Sequence, residues 1–209
     1  MMDDGRIRDT GRLAIATGLV AVGSVVCLGA FFAIGGPVGT INDVGNATTG
    51  VLSGLLAWRM RRQVAGTTGA LAVGAAVVGA AVAVLGSSLV VSGTTGWMLA
   101  GLVSSLGFAG IGAWLVVLNR SVDQVAAWPS ALRALGVVAG ALMSMGLLAV
   151  PGIALGLDDP QTAPAWAWIS SIAWLGIYVA YPAWAISMGR LEMRRSGATL
   201  SVPTGTVMG

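Results

Sequence analysis

Polar side chains interrupt an otherwise apolar chain in the stretch GGPVGTINDVGNATTG, residues 35–50. Amide and carboxylate groups of this kind can accept hydrogen bonds from a solute or hold a cation. Along a helix, residues three and four positions apart fall on one face, because each residue turns the chain by about 100°. The spacing therefore predicts one polar helix face, formed by Asn42, Asp43, Asn46, Thr49 and Ser53.

Two interpretations of this polar face follow from the residues around it. Thr40 and Asp43 resemble a capping box, in which side chains satisfy the free amides of a helix start. On that interpretation the neighbouring asparagines pair with other helices. The alternative is an outward-facing polar pocket, since ionisable residues within membranes are candidates for function. Tyr178 and Tyr181 lie on one face of the sixth predicted helix. They are candidates for the same pocket, and the alternative is aromatic packing inside the bundle with each hydroxyl paired to a carbonyl.

Catalytic chemistry has few residues to draw on in this chain. It contains no Lys and no His, and Cys27 is its single cysteine. Ser–His and Ser–Lys nucleophiles are therefore excluded, and the usual zinc, haem and iron–sulfur ligand sets are missing. Asp43 has no second membrane-embedded acid with which to form an aspartate pair. We therefore expect no enzymatic activity and no cofactor.

The composition predicts an all-α integral membrane protein. Of 209 residues, 56% are hydrophobic and only 9% are charged, whereas a soluble domain carries about 25% charged residues. A helix needs about 20 apolar residues to cross a bilayer. Six runs approach or exceed that length, which predicts a transmembrane domain over residues 13–189 with spans at 13–35, 40–58, 68–91, 97–118, 134–157 and 163–188.

The arginines predict the orientation of these spans. All eleven arginines lie next to the ends of apolar runs. In a bundle of six spans, arranged as three hairpins, these ends fall on the same side of the membrane. Cytoplasmic loops carry the excess of Arg and Lys. We therefore expect a multi-pass plasma-membrane protein with cytoplasmic segments at 1–12 and 190–209, the latter ending in a disordered tail. The basic residues serve orientation, so no nucleic acid is expected as a partner.

The acidic loop between the fifth and sixth runs lies on the opposite side. Asp158 and Asp159 precede Pro160 there. We interpret them as a solvated turn, with concentration of cations at the surface as the alternative.

Small residues at four-residue spacing mark two of the helices. In lipid such stripes allow close approach between helices. They predict a tight bundle within one chain, or alternatively a homo-oligomer. The residues are Gly136, Gly140 and Ser144 on the fifth helix, and Gly101, Ser105 and Ala109 on the fourth.

Two functions agree with these patterns. The first is a non-catalytic helical bundle that supports another membrane subunit. The second is a small transporter or sensor whose outward pocket takes a small solute or ion. The run G-x-P-x-G-T-I-N-D at residues 35–43 resembles segments of bacterial multi-span proteins without a known activity, and this resemblance implies no site.

Overall fold

The computed structural model describes residues 4–64, 66–121 and 128–199. These ranges form six long helices and contain no strand. The predicted runs are all helical, although α1 begins well before residue 13 and α6 continues beyond Ser196, where a disordered tail is predicted. The helices are α1 (Asp4–Ile34), α2 (Val38–Arg59), α3 (Gly66–Val91), α4 (Trp97–Arg120), α5 (Ser130–Ala154) and α6, which runs from Ala165 to Thr199. The rest of the predicted tail, 200–209, lies outside the described residues.

Five of the six helices are long and apolar enough to cross a membrane, namely α1, α3, α4, α5 and α6. This finding supports the predicted class of multi-pass helical membrane protein. The helix α2 does not reach the same hydropathy, because it carries the polar face.

Two prolines coincide with irregular turns in α5 and α6. A proline inside a helix cannot donate a hydrogen bond to the carbonyl four residues earlier. In α5, a 3-10 segment over Met145–Ala149 comes just before Pro151. In α6, a π-helical segment over Gly176–Ala180 comes just before Pro182. Each helix therefore changes its winding where a backbone donor is missing.

The helices pack as a closed ring in chain order, with α1 against α6. Successive helices run antiparallel. All the arginines therefore lie at one end of the ring, which we call the arginine-rich end, and the α1–α2, α3–α4 and α5–α6 turns lie at the other, the arginine-poor end. At the α1–α2 turn, Gly35 and Gly36 adopt φ angles of +66° and +79°, a region that glycine enters without strain.

Glycines bring the backbones of neighbouring helices together. A Cβ added to Gly11 of α1 would lie 2.9 Å from the Gly189 carbonyl oxygen of α6, and the reciprocal distance is 2.5 Å. The α3–α4 contact is as close, because Gly79 and Gly107 each face the other's carbonyl oxygen. Contacts this short leave no room for a side chain, so glycine is required on both sides.

The predicted small-residue stripes meet each other between α4 and α5. A Cβ added to Gly140 would lie 2.6 Å from the Gly112 carbonyl oxygen, and Gly136 packs on Asn119. Ser105 and Ala109 face Gly146 of α5. The Ser144 hydroxyl donates to the Gly140 carbonyl at 2.8 Å. These stripe residues are used within the chain.

Gly101 differs from the other stripe residues. A Cβ added there would meet only the Trp174 ring, at 3.8 Å. Gly101 therefore borders open space and not a neighbouring backbone.

Aromatic side chains fill the centre of the ring towards its arginine-rich end. The Trp184 ring stacks on Tyr181 with 6.0 Å between centroids and meets Trp114 edge-on at 6.2 Å. All three are fully buried. The indole Nε1 of Trp184 donates to Asn119 Oδ1 at 3.2 Å. We call Tyr181, Trp184 and Trp114 the aromatic floor.

The close α3–α4 contact predicts unequal effects of two substitutions on one helix. Gly79→Ala places a methyl group against the backbone of α4, and overpacking of this kind costs about 1–3 kcal/mol. Gly74→Ala on the same helix meets nothing within 4 Å and should raise the free energy of unfolding by about 0.5–1 kcal/mol, because alanine is the better helix former. Reversible unfolding in detergent micelles measures both. Equal effects would contradict this account of the α3–α4 contact.

Candidate binding cavity

The polar face of α2 points into the ring, and its apolar face points outward. Asn42, Thr49 and Ser53 are buried. The outward face exposes large apolar side chains. A surface helix of a soluble protein shows the reverse pattern, with its polar face outward. These side chains are Ile41, Val44, Val51, Leu55 and Trp58.

The polar face borders a cavity of about 240 Å³ at the arginine-poor end of the ring. Helices α1, α2, α3, α4 and α6 line it. Its lining extends along α4 from Trp97 to Phe108, which corresponds to about 16 Å at the rise of an α-helix. The polar residues of its wall include Asn42, Asp43, Asn46, Ser87, Ser104 and Ser105.

Aromatic side chains form much of the remaining wall. Trp174 is held in place because its indole Nε1 donates to Ser105 Oγ at 3.2 Å. Tyr178 lies beside the polar face, where its hydroxyl accepts a hydrogen bond of 2.9 Å from Asn46 Nδ2. The aromatic residues of the wall are Phe31, Phe32, Trp97, Phe108, Trp174 and Tyr178.

Asn42 carries an unpaired acceptor at the cavity. The residue is 5% exposed, and its Oδ1 atom has no hydrogen-bond partner. Its Nδ2 atom makes only a long contact of 3.5 Å to Asp43 Oδ1. A buried acceptor without a partner costs about 1–3 kcal/mol, so a donor that enters the cavity would relieve this cost.

Asp43 is not a helix cap, so the capping-box interpretation is wrong. The helix α2 begins at Val38, directly after Pro37, and no side chain caps its first turn. Asp43 instead lines the cavity from the second turn. Among the residues that the structure describes, no ion pair includes Asp43.

The lower part of the predicted polar face is paired within the protein. Tyr181 donates from its hydroxyl to Ser53 Oγ at 2.7 Å, and Ser53 Oγ donates to the Thr49 carbonyl at 2.6 Å. Thr49 in turn donates to the Gly45 carbonyl at 2.8 Å. The predicted site residues therefore separate into a cavity group (Asn42, Asp43, Asn46 and Tyr178) and a buried structural group below it (Thr49, Ser53 and Tyr181).

Several cavity residues carry no signal in the sequence. Phe31, Phe32 and Phe108 lie in apolar helices, where an aromatic residue that faces lipid looks the same as one that faces a cavity. Gly101 and Ser105 are predicted as packing residues and also line the cavity. Only the three-dimensional arrangement distinguishes these roles.

Asp158 stabilises the start of α4, next to the cavity. Its Oδ2 atom accepts from the Gly96 amide at 2.6 Å and its Oδ1 atom from the Leu99 amide at 3.1 Å. The carboxylate therefore caps α4 from a distant loop, and the interpretation of Asp158 as a solvated turn residue is wrong. Asp159 does have that local role, since its Oδ1 atom accepts from the Gln161 amide at 2.9 Å.

Comparisons of the chain with protein families, with curated proteins and with solved structures gave no match.

The two neighbouring aspartates predict different effects on stability. Asp158→Ala removes the cap of α4 and should lower the free energy of unfolding by about 1 kcal/mol. Asp159→Ala removes only contacts within an exposed turn and should change it by less than about 0.5 kcal/mol. Unfolding in detergent micelles compares the two variants directly. A larger loss for Asp159→Ala would contradict the role assigned to Asp158.

Proposed function

We propose that this chain is a multi-pass plasma-membrane protein that binds a small solute in its cavity, as a transporter or sensor does. The observation that carries the proposal is a pair of side chains in the cavity wall, Asn42 and Asp43, whose acceptor atoms have no close hydrogen-bond partner in the described part of the chain. Asn42 presents a free carbonyl oxygen and Asp43 has no ion pair among the described residues. A ligand with hydrogen-bond donors or positive charge would satisfy both groups.

In this proposal α2 is a sixth membrane span. It lies between α1 and α3 in the ring, both of which are apolar enough to cross a membrane. Its outward face is apolar, so lipid can surround it without contacting the polar face. The polar residues that face the ring lower the mean hydropathy of α2 without being on its outward face.

The arginines support an outward-facing cavity. Six spans with every arginine at one end fit the rule that positive residues remain in the cytoplasm. Both termini would then be cytoplasmic, and the arginine-poor end would face outward. The cavity would open to the outside, and the aromatic floor would close it from the cytoplasm.

The division of the polar face favours binding over a purely structural role. Polar groups that only hold helices together are expected to pair with other helices. Ser53 is paired in this way with Tyr181 of α6, and Thr49 donates to the Gly45 carbonyl of its own helix. Asn42 and Asp43 have much weaker pairing, although they belong to the same helix face.

We propose no catalytic role for this site. Proton transfer in catalysis needs a positioned acid or base with a reacting group within hydrogen-bond reach. Among the described lining residues, Asp43 is the single carboxylate, and none is a thiol, imidazole or amine. Binding therefore accounts for the residues better than chemistry does.

Transport would require a conformational change, and α6 contains a segment where one could occur. The π-helical segment Gly176–Ala180 includes Tyr178 of the cavity wall and comes before Pro182. Such segments are frequent at functional sites. We propose that a change in winding here moves Tyr181 and Trp184 of the aromatic floor.

A cysteine-labelling scan in intact cells tests the outward cavity. In a Cys27→Ala background, single cysteines replace Asn46 or Ser104, which line the cavity from two helices, or Ser53, which is buried below it. Two small thiosulfonate reagents that do not cross membranes, one cationic and one anionic, are added outside. We expect at least one reagent to modify Asn46→Cys and Ser104→Cys, and neither to modify Ser53→Cys.

Silence at both cavity positions in a folded protein would contradict the proposal. The polar face would then serve to hold the bundle together. The first predicted function, support of a partner subunit, would be the better account.

A further inference from the structure

We infer that the ligand of the cavity is a small organic cation with an alkylated ammonium group. This inference rests on the proposed function and specifies the class of solute. It follows from three properties of the cavity wall, which are its acceptors, its local charge and its aromatic surface.

Two side chains of the cavity wall offer acceptors without a close partner within the described ranges. Asp43 contributes a carboxylate, and the Oδ1 atom of Asn42 is buried and unpaired. One of the two amide N–H groups of Asn46 donates to the Tyr178 hydroxyl. A ligand that is itself an anion would find no positively charged partner, since the described lining residues include no arginine.

The charge of the arginine-poor end favours cations as well. The arginines all lie at the opposite end of the ring, and the acidic residues described at this end are Asp43, Asp158 and Asp159. A cleft lined by one sign of charge raises the local concentration of ions of the other sign. Asp158 caps α4, which leaves Asp43 as the acidic group that faces the cavity.

The aromatic wall selects an organic cation over a metal ion. Calcium binds about six to eight oxygen ligands and magnesium about six, more than Asp43 and Asn42 provide. Trp, Tyr and Phe rings attract ammonium groups through their π faces, and alkyl substituents on the nitrogen also contact apolar rings favourably. Trp97, Trp174 and Tyr178 contribute such rings to the wall of the same cavity.

The size of the cavity limits the cation. Its volume of about 240 Å³ is below the range of about 300–1,000 Å³ typical of sites for drug-sized ligands. The site therefore fits a compact molecule of the size of choline.

Protection of an engineered cysteine tests this inference. Choline and its uncharged isostere 3,3-dimethylbutan-1-ol have nearly the same shape, so their comparison isolates the positive charge. The rate at which the cationic thiosulfonate modifies Ser104→Cys, in the Cys27→Ala background, is measured with each solute present. Sodium chloride at equal ionic strength controls for screening of charge.

We expect choline to protect Ser104→Cys at concentrations at least about tenfold lower than the isostere requires, as one desolvated cation contact of about 1.4 kcal/mol would produce. Adding Asp43→Asn should weaken this preference, because the carboxylate is lost while the aromatic rings remain. Asp159→Asn, which removes an acidic group outside the cavity at the same end, should retain it. The comparison of the two solutes with Asp43 intact stands even if Asp43→Asn does not fold.

Equal protection by choline and the isostere, protection by sodium chloride that matches choline, or no protection at all would overturn the cation inference. In each case, labelling of Ser104→Cys in the absence of any solute would still support the outward cavity. Absence of labelling at Ser104→Cys and Asn46→Cys before any solute is added would overturn the proposed function itself, and the cation inference with it.

Discussion

The polar face of α2 is the constraint on which the rest of the structure depends. Asn42, Asp43 and Asn46 cannot face hydrocarbon without a large cost, because lipid offers no hydrogen bonds. A closed ring of helices solves this problem, since its interior is shielded from lipid on every side. The contact between α1 and α6 completes the ring, and Gly11 and Gly189 make it possible by removing side chains from the point of closest approach.

Inside the ring, the same polar face meets two environments. Towards the arginine-rich end, hydroxyl groups pair with each other and with backbone carbonyls, and the rings of Tyr181, Trp184 and Trp114 fill the space. Towards the arginine-poor end the helices leave a cavity, and the acceptors of Asn42 and Asp43 border it. The difference is one of packing and of residue type, since hydroxyl groups lie at the lower end and an amide and a carboxylate at the upper end. It makes the lower half a rigid support and the upper half a place for water or a ligand.

The sequence predicts the helices well because hydropathy and arginine placement are local signals that recur along the chain. It also predicts that the residues of the α2 face lie together, since helical spacing alone determines which side chains share a face. Non-local contacts are not predictable in this way. The cap that Asp158 provides for α4 joins residues far apart in sequence. The start of α2 at Val38 depends on the preceding turn, which makes the capping-box interpretation of Asp43 wrong.

Fluorine NMR of the protein labelled with 3-fluorotyrosine tests the central claim most directly. The chain has only two tyrosines, so the spectrum should contain two resonances, which Tyr178→Phe assigns. Tyr178 borders the cavity and Tyr181 is fully buried in the floor below it. If the cavity holds water and closes above the floor, the Tyr178 resonance should shift between H₂O and D₂O and the Tyr181 resonance should not. A shift of both resonances, or of neither, would contradict a water-filled cavity that ends at the aromatic floor.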